Sequence, residues 1–265
     1  MIHVSNHHIE FAYELIGVLP YAYKLHLDGK LASTDSNPWM EPFYWFSPKH
    51  TAIEGMRLWV NVQKATQAGI PNLHVTQPTL DLKHFCPPPL QARYTNSRFL
   101  YDKPLVCIYN RTQTEYHRCG RPLGVVNFFD QPCLKQLFTL LRHKYQVIYF
   151  NILGRPELYD GDPAINTGDM AVAKAFNIPT IHDVCAANPD LTFNEVQLML
   201  MANCKRFVNV ASGSSVLASY MGGTNVMYAN RASSLACLNW YHVFGWSRTV
   251  FVQSYEALFE AASKL

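Results

Sequence analysis

The rhythm of residues 103–265 constrains the fold of this chain more than any other feature. Short, almost continuously apolar runs alternate there with amphipathic stretches of helical period. Such runs predict strands in the segments 104–110, 146–151, 179–184, 206–211, 224–229 and 248–253. The amphipathic stretches predict helices in the segments 131–144, 168–176, 193–204, 214–221 and 254–265. Strands that are apolar on both faces are typical of a parallel sheet covered by helices, so we expect a doubly wound, Rossmann-like domain.

Residues 1–102 have a different texture, rich in aromatic residues and prolines. The stretches "NPWMEPFYWFSPKH" and "CPPPLQARY" are expected to be loops, because proline interrupts helices and restricts the residue before it. Around these loops the pattern predicts strands at 2–5 and 72–75 and helices at about 10–29 and 52–68. The change of texture predicts an N-terminal domain over 1–102 and a C-terminal domain over 103–265.

Composition narrows the class of protein. With 265 residues, of which 49% are hydrophobic, the chain can bury a sizeable core. Its 22 Lys and Arg against 19 Asp and Glu give a net charge of +3 without a basic run, so a nucleic-acid partner is not expected. No stretch approaches the roughly 20 apolar residues of a membrane span or has the form of a signal peptide. Seven cysteines without paired spacing favour a reducing compartment, so we expect a cytoplasmic protein.

A turn of very small polar residues follows the strand "RFVNVA". Ligands of an open parallel sheet sit beyond the carboxyl ends of its strands. Gly213, Ser214 and Ser215 occupy such a place at the start of a helix, whose free amides and dipole can hold a phosphate. An ordinary turn with a serine cap is the alternative. The elbow motif GxSxG of hydrolases is only half matched, since Leu217 stands where a glycine is needed.

Three groups of residues carry a resemblance to a known family. They are "VLPYAYKLHLDGKL" with "FYWFSP", "PLVCIYNRTQTEY" before "VVNFF", and "FVNVASGSSVLASYMGGTNVMY". These stretches resemble compact GT-B glycosyltransferases of large DNA viruses of algae and of some bacteria. The resemblance implies an α/β, GT-B-like fold with two Rossmann-like domains facing each other across a cleft. It also implies a viral protein of the host cytoplasm that transfers a sugar, xylose as a first guess, from a UDP-sugar.

Under this resemblance the C-terminal domain binds the donor. Arg111 and Arg155 follow strands at their carboxyl ends and can pair with phosphate oxygens, although either can be an ordinary surface arginine. Asp183 is expected to accept from the base or ribose, or else to cap a loop. No metal or cofactor is then needed, since cations and amides neutralise the leaving group. The metal-dependent alternative would use Asp160 and Asp162 in "YDGDP" as a DxD motif.

The acceptor is expected to be an oligosaccharide or glycoprotein, held by the N-terminal domain. An inverting transfer needs a base there to take the proton of the acceptor hydroxyl. We predict Asp81 for this role, with Asp35, His7 and His8 as alternatives. Trp39, Tyr44 and Trp45 are aromatic residues that can stack on a sugar or simply fill the core. A nucleotide-binding or sugar-binding protein without catalytic activity is the alternative from another class.

Overall fold

We describe the chain from a computed structural model. The description covers residues 1–58, 61–70, 83–110, 114–116, 122–125, 127–151, 166–230 and 242–265. The strands are β1 (Ile2–Ser5), β2 (Leu31–Ser36), β3 (His50–Ala52), β4 (Leu105–Tyr109), β5 (Thr114–Tyr116), β6 (Pro122–Val125), β7 (Gln146–Phe150), β8 (Arg206–Val210), β9 (Thr224–Tyr228) and β10 (Arg248–Val252). The α-helices are α1 (Phe11–Tyr13), α2 (Leu19–Leu27), α3 (Val62–Gln67), α4 (Leu90–Tyr94), α5 (Gln131–Leu141), α6 (Asp169–Ala175), α7 (Ile181–Ala186), α8 (Phe193–Asn203), α9 (Gly213–Tyr220), α10 (His242–Gly245) and α11 (Tyr255–Ser263). A π-helix (Glu14–Val18) joins α1 to α2, and a 3-10 helix covers Glu41–Tyr44. In the described part of the chain, no helix is long and apolar enough to cross a bilayer.

The N-terminal part contains a parallel sheet with strand order β1-β2-β3. β1 confirms the strand predicted at 2–5, but β2 was not predicted, because its sequence "LASTDS" has no apolar alternation. Its Thr34 and Ser36 are nevertheless fully buried. Their hydroxyls are hydrogen-bonded to the ring of His50 in β3, at 2.8 Å to Nδ1 and 3.1 Å to Nε2. Hydrogen bonds between side chains therefore replace those to water and allow a polar strand to be buried.

The helix predicted over 52–68 is mostly wrong, because only α3 is helical there. The amide of Ile53 donates instead to the carbonyl of Ser36 at 2.8 Å and prolongs the pairing of β3 with β2. The amide of Leu58 donates to the carbonyl of His8 at 2.9 Å. The amides of Ile53 and Leu58 are therefore bonded to neighbouring segments and not within a helix.

The helix predicted over 10–29 is confirmed but contains one wide turn, the π-helix. Pro20 leaves one carbonyl of this wide turn without a helical donor. The amide of Leu19 donates to Glu14, and Pro20 has no amide hydrogen, so the carbonyl of Leu15 lacks a donor within its own helix. The buried hydroxyl of Tyr220, on α9 in the C-terminal part, donates to that carbonyl at 2.6 Å.

The C-terminal part contains a five-stranded parallel sheet with order β10-β9-β8-β4-β7. It confirms five of the strands predicted from the apolar runs, and α5, α6, α8, α9 and α11 confirm the predicted helices. The strand predicted at 179–184 is wrong, because Thr180 makes a single bridge to Tyr149 and the chain then enters α7. The carboxylate of Asp183 accepts from the Thr180 amide at 2.8 Å, and this capping box starts the helix.

The strand predicted at 72–75 lies outside the described residues. The antiparallel pair β5-β6 was not predicted from the sequence. The boundary between residues 102 and 103 stays a prediction.

The two faces of the larger sheet pack against different layers. Val106 and Ile108 of β4 face α5 and α11, whereas Cys107 and Tyr109 face the other way. On that second side one continuous hydrophobic cluster includes β1, the helix from Phe11 onwards, α8 and α9. The N-terminal and C-terminal parts therefore share a core.

We predict that Tyr220→Phe lowers the free energy of unfolding by about 1–2 kcal/mol, because the buried Leu15 carbonyl loses its donor. The free energy can be measured by urea denaturation. The matched control is Tyr101→Phe, at an exposed tyrosine, which should change stability by less than about 0.5 kcal/mol. Equal stability of the two variants would show that the hydrogen bond to Leu15 contributes nothing.

Candidate functional site

The strand order marks one place on the larger sheet as the expected ligand site. With the Thr180 bridge beside β7, the chain fills the sheet from β4 outward in one direction and then returns to add β8, β9 and β10 on the other side. The direction reverses between β4 and β8. Ligands of doubly wound sheets bind outside the carboxyl ends of the strands at such a switch point. Asn110 follows β4 there, and the turn 211–214 follows β8.

Hydroxyl groups shape the turn after β8. The amide of Ser212 donates to Ser215 Oγ at 3.0 Å, and that hydroxyl donates to the Ser212 carbonyl at 2.7 Å. Ser215 is fully buried, so its hydroxyl holds the turn and does not reach solvent. The hydroxyls of Ser212 and Ser214 lie 2.9 Å apart and are partly exposed. Of the predicted serines, Ser214 is the one that presents a hydroxyl at the start of α9.

A buried amide pair orients α9 on the sheet. The side chain of Asn209 in β8 donates to Asn225 Oδ1 in β9 at 2.6 Å. The Asn225 amide then donates to the carbonyl of Ser215 at 3.0 Å and to the hydroxyl of Ser219 at 3.1 Å. These bonds fix the rotation of the helix and thereby the direction of its first amides.

Close packing against the N-terminal part requires a glycine at position 213. A Cβ atom at this position would lie 2.8 Å from the Phe11 ring and 3.3 Å from the amide nitrogen of Ala12. Phe11 is buried and begins the helix that follows β1. The glycine therefore lets the starts of two helices, one from each part, come into contact. Its role in phosphate binding stays a prediction.

The N-terminal part contributes the loop after β1 to the same place. We call residues 6–11 and 211–214 together the seam. Asn6 donates to Asn37 Oδ1 at 3.1 Å, and Asn37 donates to the Gly55 carbonyl at 2.6 Å, which ties together the chain ends beyond β1, β2 and β3. Between these anchors His7 and His8 both have left-handed backbones, with φ of 50° and 53°. Such angles are uncommon for residues other than glycine, and they indicate that the loop is held in one conformation by the surrounding structure.

The predicted bases differ in what their side chains do. Asp35 accepts from His3 Nε2 at 2.8 Å and from the Ser5 hydroxyl at 2.5 Å, so both of its oxygens are engaged. The ring of His8 occupies the space above Gly55, and within the described residues its buried Nδ1 has no hydrogen-bond partner. Asp81 lies outside the described residues.

His7 is partly exposed, and its environment keeps the imidazole neutral. Burial lowers the pKa of His7 below its ordinary 6.5, the charge of Asp35 raises it, and the electrostatic influence of the neighbouring His3, His8 and Lys64 lowers it further. A neutral imidazole at pH 7 can accept a proton.

Asp183 lies apart from the seam, on the far side of β7. Its Oδ2 accepts from the amide and the hydroxyl of Thr180, which lowers the pKa of the carboxyl group. The expected alternative, a cap, is therefore present. Asp183 also lines a cavity of about 650 Å³ whose walls all come from residues 170–183.

Reasoning from the sequence missed a buried polar network at the carboxyl ends of β4 and β7. Asp169 is fully buried and accepts from the Tyr149 hydroxyl and from the Asn151 amide, the latter at 2.5 Å. Burial and this carboxylate raise the pKa of Tyr149 well above its ordinary value. Asn110 holds the loop before α5 through both the amide and the carbonyl of Phe129. The signal was present, because the runs "PLVCIYN" and "QVIYFN" both end in asparagine.

Four further predicted residues lie outside the described part of the chain. They are Arg111, Arg155, Asp160 and Asp162. Among the described residues, no group of three or more His, Cys, Asp or Glu side chains is placed to hold a metal ion. The structure does not test the roles assigned to these four residues.

Comparisons with known proteins gave few matches. No protein-family model and no curated protein matches the chain. The chain is similar to a solved structure described as the glycosyl transferase family 9 from Veillonella parvula DSM 2008, with 12% sequence identity and a TM-score of 0.33. The match covers 92% of this chain and 63% of that chain, so this chain spans less than two thirds of that protein's length.

We predict that Gly213→Val lowers the free energy of unfolding by about 1–3 kcal/mol, because the new side chain overlaps the Phe11 ring. In Phe11→Leu the ring is absent, so adding Gly213→Val to that variant should cost clearly less. Denaturant unfolding of the four proteins gives the coupling between the two sites. Additive effects would mean that the glycine does not accommodate Phe11.

Proposed function

We propose that this protein is a glycosyltransferase that moves a sugar from a UDP-sugar to a glycan or glycoprotein acceptor. The observation that carries the proposal is the meeting of two parallel sheets at the seam. The loop after β1 and the turn after β8 both leave carboxyl ends of strands, and they touch where Phe11 meets Gly213. Carboxyl ends of parallel strands are where such sheets bind ligands, so two binding edges adjoin. A transfer reaction needs this juxtaposition of two substrates.

The larger sheet is the proposed donor side. The first amides of α9 are suited to the diphosphate of the donor. The Ser212 hydroxyl donates to the Val210 carbonyl and accepts from Ser214, so these two hydroxyls shape the turn. Arg111 and Arg155 are proposed to supply positive charge to the same group. The cavity beside Asp183 is lined only by the C-terminal part and is large enough for a nucleoside. Xylose is the proposed sugar.

The proposed reaction is a direct displacement. The acceptor hydroxyl oxygen attacks the anomeric carbon and forms the new glycosidic bond, while the bond from that carbon to the phosphate oxygen breaks. UDP leaves with the bonding electrons, and a base takes the proton of the hydroxyl. The attack inverts the anomeric carbon. The amides of α9 and the proposed Arg111 and Arg155 would stabilise the charge as it develops, so the proposed reaction needs no metal.

The base is proposed to come from the N-terminal part. Asp81 remains the predicted residue. Of the described alternatives, His7 best fits the task, because it lies in the loop that leads to Phe11, is partly exposed and has a pKa lowered by burial. Asp35 is less suited, since both of its oxygens already accept hydrogen bonds.

We predict that the protein releases UDP from a UDP-sugar in the presence of an acceptor glycan, and that EDTA leaves the rate unchanged. The rate can be followed by a coupled assay for UDP over a panel of UDP-sugars and glycans. Nucleotide binding without turnover would instead favour a nucleotide-binding or sugar-binding protein without catalytic activity. Loss of the rate in EDTA, with recovery in Mn²⁺ and abolition by Asp160→Ala, would favour the metal-dependent reading.

We predict that Asp81→Asn lowers the catalytic rate by about 10²-fold while UDP binding is retained. A carboxylate base has an ordinary pKa near about 4, so the parent's rate should then be flat from pH 5.5 to 8. If His7 is the base, the rate instead falls as the pH drops through the lowered pKa of His7, and His7→Gln removes both the rate and this pH dependence. A parent rate that both variants retain would exclude both residues.

A further inference from the structure

A cavity of about 400 Å³ lies between the two parts of the chain. It adjoins the cavity beside Asp183 that is proposed for the donor and is called the donor cavity below. One wall is Trp39 of the N-terminal part. The facing walls come from α7 and the start of α8 and include His182, Cys185, Leu191, Thr192 and Phe193. Its volume is within the range of about 300–1,000 Å³ that is typical of small-molecule sites.

Trp39 is held in this wall at a conformational cost. Its φ of 66° is left-handed, which is a rare angle for a bulky side chain. The fully buried side chain of Asn194 in α8 donates to the Trp39 carbonyl at 2.7 Å and keeps the backbone in place. The indole nevertheless remains 41% exposed. The contact thus positions an aromatic face at the cavity without burying it.

His182 supplies a polar group of known orientation. Its Nε2 lies 2.8 Å from the carbonyl oxygen of Asn151. A carbonyl can only accept, so Nε2 carries the hydrogen, and in the neutral ring Nδ1 is the acceptor. The same histidine lines the neighbouring donor cavity, so the two cavities adjoin at this residue.

We infer that this cavity binds a sugar ring of the acceptor, with Trp39 as the stacking platform. The inference rests on the proposed function. One face of a pyranose consists of weakly positive C–H groups that stack on the negative face of an indole, and its hydroxyls need polar partners at the rim. The cavity beside Asp183 is built by the C-terminal part alone and suits the donor, whereas the N-terminal part completes this one.

The test compares Trp39→Gly with Trp246→Gly. Glycine suits the left-handed backbone of both positions, so both variants should fold. Trp246 is also left-handed, with φ of 56°, and 86% exposed, but it precedes β10 at the opposite edge of the sheet. Trp39→Phe keeps a smaller aromatic face.

Binding is measured by saturation-transfer NMR of the intact protein with methyl xyloside, glucoside, galactoside and fucoside and with xylotriose, and UDP binding is measured by calorimetry. At least one glycoside should bind the parent and Trp246→Gly equally. Its affinity should be about two- to tenfold lower in Trp39→Gly and intermediate in Trp39→Phe. UDP affinity should be the same in all four proteins.

Three results would overturn the inference. They are the absence of binding by every glycoside, equal glycoside binding by the parent and Trp39→Gly, and loss of UDP binding in Trp39→Gly, which would assign Trp39 to the nucleobase. UDP release by the parent separates this inference from the proposed function. Glycoside binding that depends on Trp39 without UDP release would refute the transferase but leave the sugar site in place. UDP release together with glycoside binding that does not depend on Trp39 would support the transferase and refute the sugar site at Trp39.

Discussion

Phe11 packs against Gly213 where the two parts of the chain meet, and a buried charge pair lies beside the Phe11 ring. The Arg57 guanidinium sits 5.6 Å from the centre of the Phe11 ring and pairs with Glu14 at 2.5 Å, and both charged side chains are almost completely buried. The Tyr44 hydroxyl donates to the other Glu14 oxygen at 2.8 Å. A buried pair of this kind adds little net stability, because desolvation offsets attraction. We ascribe to it the positioning of the first turn after β1, from which the seam follows.

Both sides of the seam are built in the same way. Asn6 and Asn37 connect strand ends in the smaller sheet, and Asn209 and Asn225 connect neighbouring strands under the turn in the larger one. A side-chain amide both donates and accepts, so a pair of them can join two backbones without a charge. Under the proposed function, loops fixed in this way would hold substrate groups with little reorganisation.

The sequence predicted the larger sheet well and the smaller sheet poorly, for a physical reason. Strands such as β4 are buried on both faces, so their apolar runs are visible in the sequence. β2 is buried through hydrogen bonds of Thr34 and Ser36 to His50, and no pattern of hydrophobicity reports that. The strand expected at 179–184 failed because the local capping box of Thr180 and Asp183 prevailed over an apolar run.

The candidate site was predictable in outline only. The turn at Gly213 was found from its small residues, but the neighbour that requires the glycine is about 200 positions away along the chain. Trp39 was noted as one aromatic residue among several, and its left-handed backbone and its bond to Asn194 became visible only in three dimensions. Long-range contacts of this kind leave no local signal.

The shared core limits how far the two parts of the chain can move apart. Two domains that are joined only by a linker can open by a hinge motion to admit a substrate and release a product. Here such a swing would expose the apolar cluster that runs from β1 through α8 and α9, and it would break the bond from Tyr220 to Leu15. Wide hinge opening is therefore costly. Under the proposed function, exchange of substrate and product would instead proceed by small rearrangements of the side chains that line the cavities, such as Trp39 and His182.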